Sequence, residues 1–224
     1  MTMKVLQKTK YKDFAIHVAG KEHEAWVDTI TGEMANSAQA RGTGIAKRSS
    51  EYLISKIQEG KAIIALTKDN KWAGFCYIET WEHGNFVANS GLIVHPDYRK
   101  SGVATAIKAK AFRLSRHKYP NANIVGLTTS MAVMKINSEL GYEPVSFSEL
   151  PKDNAFWKGC QTCVNYDILT RTGRSHCLCT GMKYVAKKPV KEKVSKWEFG
   201  SESSLYEKWL KMKQRILLRR PKKS

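Results

Sequence analysis

Gly91-Leu-Ile-Val-His-Pro-Asp-Tyr-Arg-Lys-Ser-Gly-Val-Ala104 decides the fold. Gly91 to Val94 is an apolar strand. Pro96 stops it, because proline has no N–H and holds His95 extended. A basic turn follows, Arg99-Lys100-Ser101-Gly102. Val103, Ile107, Ala111 and Leu114 then recur at helical spacing. In a strand, glycine loop and helix, the backbone N–H groups at the helix start converge. With the helix dipole they form an anion site suited to a pyrophosphate. Gly102 lets backbone approach phosphate without a side chain intervening. No Lys-Ser/Thr follows the glycine, so the loop differs from a Walker A loop.

Working outward, Ala62–Thr67 and Lys71–Trp81 read as a hairpin around Asp69-Asn70. Gly84-Asn85 turns the chain into Phe86–Val94. Upstream, Phe14–Val18 is a possible first strand. Lys21–Ala38 reads as a helix with Trp26, Ile30 and Met34 on one face. Arg41–Ser50 is a loop, and Ser49 or Ser50 caps a helix over Glu51–Gln58. Downstream come a strand over Asn123–Thr129 and a helix over Met131–Leu140, with Val133, Met134 and Ile136 inward and Gly141 at its C′ position. Glu143–Phe147 and Thr180–Val185 are the last strands.

Val94, Pro96, Arg99, Gly102, Val103 and Ala104 match V-x-P-x-x-R-x-x-G-[IV]-[AG]. The stretch thus resembles motif A of the GNAT superfamily of acyl-CoA N-acyltransferases. A three-strand meander leading into motif A is the GNAT order, and Leu140-Gly141-Tyr142 is similar to the end of its motif B. The resemblance implies an α/β chain with a mixed, mostly antiparallel twisted sheet flanked by helices. It implies acetyl-CoA or succinyl-CoA as co-substrate, bound by Ile93, Val94, Arg99, Lys100, Ser101, Gly102, Val103 and Ala104. It also implies a Leu92 backbone N–H polarising the thioester carbonyl. Ser130 stands at a cofactor position where the family usually has Asn. The family's frequent Tyr, a proton donor to the leaving thiolate, is Asn137 here, so no general acid carries over.

A domain over residues 1–185 is expected, with a cysteine-containing insert at 148–180. Residues 186–224 read as a basic linker and an amphipathic helix marked by Leu205, Trp209, Met212 and Ile216. The net charge of +18 is concentrated there. Residues 183–224 hold 14 Lys/Arg against 4 Asp/Glu, leaving +8 for the first 182 residues. That distribution places the excess in a tail and argues against a nucleic-acid-binding body. No apolar run approaches the ~20 residues of a membrane span, and no signal-peptide core opens the chain. With five cysteines, an odd number, a reducing, cytoplasmic location is expected. An oligomer is left open.

Acyl transfer needs a polarised carbonyl, a deprotonated amine and a departing thiolate. Glu79, on a strand beside motif A, ranks first as base, against the alternative of a solvent-facing strand residue. A free α-amino group has a pKa of about 7.7–8.0 and a lysine amine about 10.4. A site without an obvious base therefore leans towards an amino-acid acceptor. Arg41, Lys47, Arg48, Lys158, Arg171 and Arg174 lie on the two loops that flank the acceptor in GNAT folds. Guanidinium groups suit carboxylates, and Arg41, Lys47, Arg48 and Arg174 are the substrate-binding candidates, with Arg41 leading. Cys160-x2-Cys163-x13-Cys177-x-Cys179 resembles a structural zinc site. The alternative is four reduced cysteines around a pocket.

Arg41–Ser49 and Phe156–Thr180 are also similar to a bacterial GNAT subgroup associated with arginine biosynthesis. That resemblance implies N-acetyl- or N-succinylglutamate synthesis. Two rivals remain: acylation of a protein or nucleic-acid-bound amine, and a non-catalytic binding module.

Overall fold

The structure is a computed structural model and describes residues 13–42 and 48–186. The seven strands are β1 (Phe14–Val18), β2 (Ala62–Thr67), β3 (Trp72–Trp81), β4 (Phe86–Val94), β5 (Asn123–Thr128), β6 (Glu143–Val145) and β7 (Thr180–Tyr184). They form one sheet in the order β1-β2-β3-β4-β5-β7-β6. Every neighbouring pair is antiparallel except β4 and β5. The helices are α1 (Val27–Arg41), α2 (Ser50–Gln58), α3 (Val103–Lys118), α4 (Met131–Glu139), α5 (Asn154–Lys158) and α6 (Tyr166–Arg171). This is the expected mixed sheet flanked by helices.

Side-chain alternation along β2 and β3 explains the layers. Ile64, Phe75 and Tyr77 pack under α1 and α2 with Ile30, Met34, Leu53 and Ile57. Their neighbours Ile63, Cys76 and Ile78 point the other way, onto Val103, Ile107 and Ala111 of α3. Both faces of the central strands are thus covered, which is why β2 and β3 read as continuous apolar runs. A third cluster joins the sheet to the insert, with Ala88 and Val125 against Leu150, Phe156, Trp157 and Leu169.

Several elements differ from the expected ones. Lys21–Trp26 is a 3-10 segment, entered through a Gly20 N–H bond to the His23 ring at 3.0 Å, and the α-helix starts only at Val27. β6 stops at Val145 because a 3-10 turn, Phe147–Glu149, follows. On α4 the fully buried side chain is Asn137, while Val133, Met134 and Ile136 are half-buried. On α3, Lys108 and Ser115 are buried and Leu114 only partly so. Among the described residues no helix is long and apolar enough to cross a membrane. Residues 43–47 and the basic tail from 187 lie outside the described residues.

Candidate active site

β4 and β5 pair at three positions only, Phe86 with Asn123, Val87 with Ile124 and Ala88 with Val125. Beyond Ala88 the ladder stops, and a cavity of about 590 Å3 opens between Asn89–Leu92 and Gly126–Thr129. A bulge in β4 accompanies the opening. Tyr77 pairs with Ser90 and Phe75 with Ile93, so Gly91 and Leu92 together face Cys76. Gly91 has φ +63, and a Cβ there would run into the Tyr77 ring. Only glycine meets both demands. The extra residue leaves Leu92 on the cavity wall, where its backbone can be aimed at a ligand.

The basic turn lies at the outer end of β4. Lys100 and Gly102 both have positive φ, +65 and +89, and Gly102 is the N-cap of α3. Alternating backbone conformations of this kind turn N–H groups into an anion-binding concavity. Ser101 shapes it by donating to the Tyr98 carbonyl at 2.6 Å and accepting from the Val103 N–H at 3.4 Å. No acidic residue lies in the first turn of α3, which ends in Arg116, His117 and Lys118. Its N-terminus is therefore positive and uncompensated. Val103 is buried against the sheet and Ala104 follows in the first turn, so both offer backbone. Ile93 is buried and Val94 partly so. The Arg99 side chain, on the same loop, reaches back to α1. Its guanidinium bonds Glu33 at 2.8 Å and Ser37 at 3.0 Å on α1, fastening the loop.

Glu79 lines the cavity. It pairs with Ala88 across the sheet. Burial pushes its carboxyl pKa above the ordinary value, opposed by the Arg48 charge and a hydrogen bond with Ser90. Arg48 donates from Nε to the Tyr77 hydroxyl at 2.8 Å and lies over the Tyr52 ring at 5.4 Å. Its Nη2 would be 3.3 Å from a Cβ at Gly159, so Arg48 reaches the insert. Ser130 caps α4 by accepting from the Val133 N–H at 3.4 Å, and it too lines the cavity. Among the described lining residues the cations are Arg48, Lys108 and Lys158, and the carboxylate is Glu79.

The other expected acceptor residues fall elsewhere. Arg174 is outside the cavity lining, bonded to the Asn154 side chain at 2.7 Å and resting over Trp157. Arg41 is the last residue of α1, ahead of Gly42 in the left-handed region, and its side chain lies outside the description. Lys47 lies outside the described residues.

Cys160, Cys163, Cys177 and Cys179 all line the cavity, and all five cysteines of the chain are free thiols. Burial, followed by the neighbouring sulfurs, pushes Cys160 up to about 11 and Cys179 up to about 12. The zinc expectation is not supported. Among the described residues no group of three or more His, Cys, Asp or Glu is arranged to hold a metal ion. The four cysteines line one cavity as thiols, with Cys179 interacting with the other three sulfurs.

Sequence reasoning missed Lys108, Asn89 and the aromatic wall of Tyr52, Tyr77, Trp157 and Tyr166. The one available signal was weak: Lys108 sits a helical turn before Ala111 and two turns before Ser115, so its burial follows the inward stripe of α3.

Residues 33–135 match the acetyltransferase (GNAT) family. No curated protein matches the chain in sequence. N-acetylglutamate synthase from Neisseria gonorrhoeae, complexed with coenzyme A and N-acetyl-glutamate, is similar with a TM-score of 0.55 at 16% identity, over 78% of this chain and 35% of that one. The present chain thus spans about a third of that protein. A Mycobacterium tuberculosis protein in complex with CoA has a TM-score of 0.54 at 15% identity, over 76% of this chain and 98% of that one. A phosphinothricin acetyltransferase from Sinorhizobium meliloti in complex with AcCoA gives 0.54 at 13%, over 80% and 95%. At these identities the likeness is one of fold.

Proposed function

We propose that the chain, whose residues 33–135 match the acetyltransferase (GNAT) family, transfers an acetyl or succinyl group from acyl-CoA to the α-amino group of a small acidic amino acid, glutamate first. The observation that carries the acceptor is the charge of the cavity. Among its described lining residues three cations face one carboxylate. Burying the two carboxylates of glutamate without partners is costly. Arg48, held by Tyr77, offers a preset guanidinium for one of them, and Lys158 brings a second cation to the same wall.

In this reading the Lys100–Ala104 backbone holds the pyrophosphate and the thioester enters between β4 and β5. The Leu92 N–H polarises the carbonyl. An α-amino group is substantially neutral near pH 8, so Glu79 needs only to take the proton released as the C–N bond forms. A fold shared with an N-acetylglutamate synthase agrees with this acceptor. A place in arginine biosynthesis and cytoplasmic action belong to the same reading.

The test is thiol release with acetyl-CoA and succinyl-CoA across the free amino acids. Turnover with glutamate or aspartate above neutral amino acids is expected. Turnover only with protein amines, lost on removing residues 187–224, would replace this reading with a tail-recruited protein acetyltransferase.

A further inference from the structure

The proposed chemistry leaves one proton unassigned, the one taken up by the departing thiolate. Asn137 has no proton acidic enough to supply it. Within the cavity, however, α3 presents an amine. Lys108 is 2% exposed and lines the inner end of the opening between β4 and β5. Its Nζ lies 3.5 Å from the Asn89 Oδ1 and 5.4 Å from the centre of the Tyr142 ring. Asn89 is the first β4 residue past the last β4–β5 pair, two positions, or roughly 7 Å, before the bulge at Gly91. Asn89 is held in turn by the Ser115 hydroxyl at 2.8 Å, to which it donates, and by the Tyr142 hydroxyl, which donates to it at 3.0 Å.

Among the described residues, three polar or ionisable groups adjoin Lys108 or contribute to its field: Cys76 from β3, Asn89 from β4 and Tyr142 after α4. Cys76 and Tyr142 are the ionisable ones, and burial pushes both above their ordinary values, Cys76 to about 11. Both are neutral near pH 8, and among the described residues no carboxylate contributes to the field of Lys108. An ammonium buried without an anion is expensive, so a purely structural use of this position is better served by an apolar side chain. A second observation points to a guest. Asn137 is 1% exposed, lines the same cavity, and its Oδ1 is buried without a hydrogen-bond partner.

We propose that Lys108 is the proton donor to the coenzyme A thiolate and that the Asn137 Oδ1 receives the resulting S–H. The inference rests on the acyl-CoA reading but not on the identity of the acceptor. As the amine nitrogen bonds the carbonyl carbon, the C–S bond breaks and its electron pair goes to sulfur. A proton passes from the Lys108 ammonium to that sulfur. The proton lost by the amine goes to Glu79 or water, and neutral Lys108 is reprotonated from water once the thiol leaves. Burial lowers Lys108 to about 8, near the roughly 8.5 of an alkyl thiol. Transfer is therefore nearly balanced, and an acid poised near working pH is the effective one. At pH 7 roughly nine-tenths of it is still charged.

The decisive experiment is single-turnover thiol release with acetyl-CoA and hydroxylamine, a small nucleophile that is neutral from pH 7 to 10. Using it takes both acceptor recognition and amine deprotonation out of the profile. The wild type should lose rate as pH rises through the Lys108 transition. Lys108→Met should be slower by roughly 100-fold or more and flat with pH, while the acetyl-CoA KM stays close to the wild-type value. Lys108→Arg, charged throughout, should keep more rate and lose the basic limb. Variants that retain the wild-type limb, even at reduced rate, would make Lys108 structural and overturn the proposal. If Lys108→Met does not fold, Lys108→Gln and the Arg variant decide by the same limb. Failure with glutamate alone would leave these profiles intact and would count only against the acceptor.

Discussion

The Arg99 guanidinium lies 2.8 Å from the Glu33 carboxylate, 66 residues earlier on α1. The motif arginine therefore fastens its loop to a helix, and in the proposed reading the backbone of Lys100 to Ala104 holds the anion. Arg99→Ala should lower stability by about 0.2–1 kcal/mol, as expected for an ion pair half open to solvent, and change the acyl-CoA KM only a few-fold. Gly102→Glu should behave differently. It places a side chain where φ is +89, at a cost of about 1–2 kcal/mol, and sets a negative charge at the cradle. The acyl-CoA KM should rise at least about tenfold, the equivalent of about 1.4 kcal/mol. Equal KM values for the two variants would place the pyrophosphate elsewhere.

Arg48 and Arg174 also separate under mutation. Arg48 lies on the cavity wall and Arg174 is engaged with Asn154 outside it. Losing one charged hydrogen bond is worth about 1.5–3 kcal/mol, or roughly 10- to 150-fold in kcat/KM. Arg48→Ala should show that loss for the amino acid, with the acyl-CoA KM nearly constant. Arg174→Ala should show little of it. The reverse ranking would move the acceptor to the far side of the insert.

Glu79 carries a pH signature in both rate and stability. Its carboxyl is raised by burial, so as a base it should give an acid limb above the ordinary carboxylate value of about 4.3, absent in Glu79→Gln. The protonated form suits the fold. Its stabilising contribution is thus complete below the unfolded value and is lost as pH rises through the raised folded value. Glu79→Gln should accordingly melt higher than the wild type at pH 7, with the gap narrowing towards pH 4. A lower Tm at pH 7 would mean that Arg48 outweighs burial.

The thiol wall predicts slow chemistry. Cys160 and Cys179, pushed up to about 11 and about 12, should alkylate slowly at pH 7.5, because the thiolate is the nucleophile. Rates should climb about tenfold per pH unit, and an occupant of the cavity should suppress them. A chelator should leave Tm and turnover unchanged. Loss of folding in chelator would restore a structural metal.

The motif was legible because its signals are local: a proline ending a strand, a glycine at a left-handed turn and an apolar stripe on the next helix. The meander and the two flanking layers followed from the same kind of pattern. What stayed hidden depends on distant partners. The pairing of Arg99 with Glu33, 66 residues away, leaves no local trace. Lys108 falls on the inward stripe of α3, but nothing nearby in sequence reveals that β4 and β5 part above it. Asn137 stands at the family's Tyr position, and its burial stays hidden because apolar residues of the same helix had the stronger claim to the core. Close cysteine pairs look alike in sequence whether or not their sulfurs are arranged to hold a metal ion.

The brevity of the β4–β5 ladder has a mechanical consequence. Three residue pairs join β1–β4 to the β5-β7-β6 group, so two strand edges confront each other inside the molecule. Exposed edges ordinarily invite foreign strands. Here the invitation is turned inward, where only a slender guest with amide groups of its own can accept it. Such a guest acts as a removable rung. With it the sheet should breathe as one body, and without it as two, a contrast that amide hydrogen exchange at Asn89–Leu92 and Gly126–Thr128 would record as slowing on acyl-CoA binding.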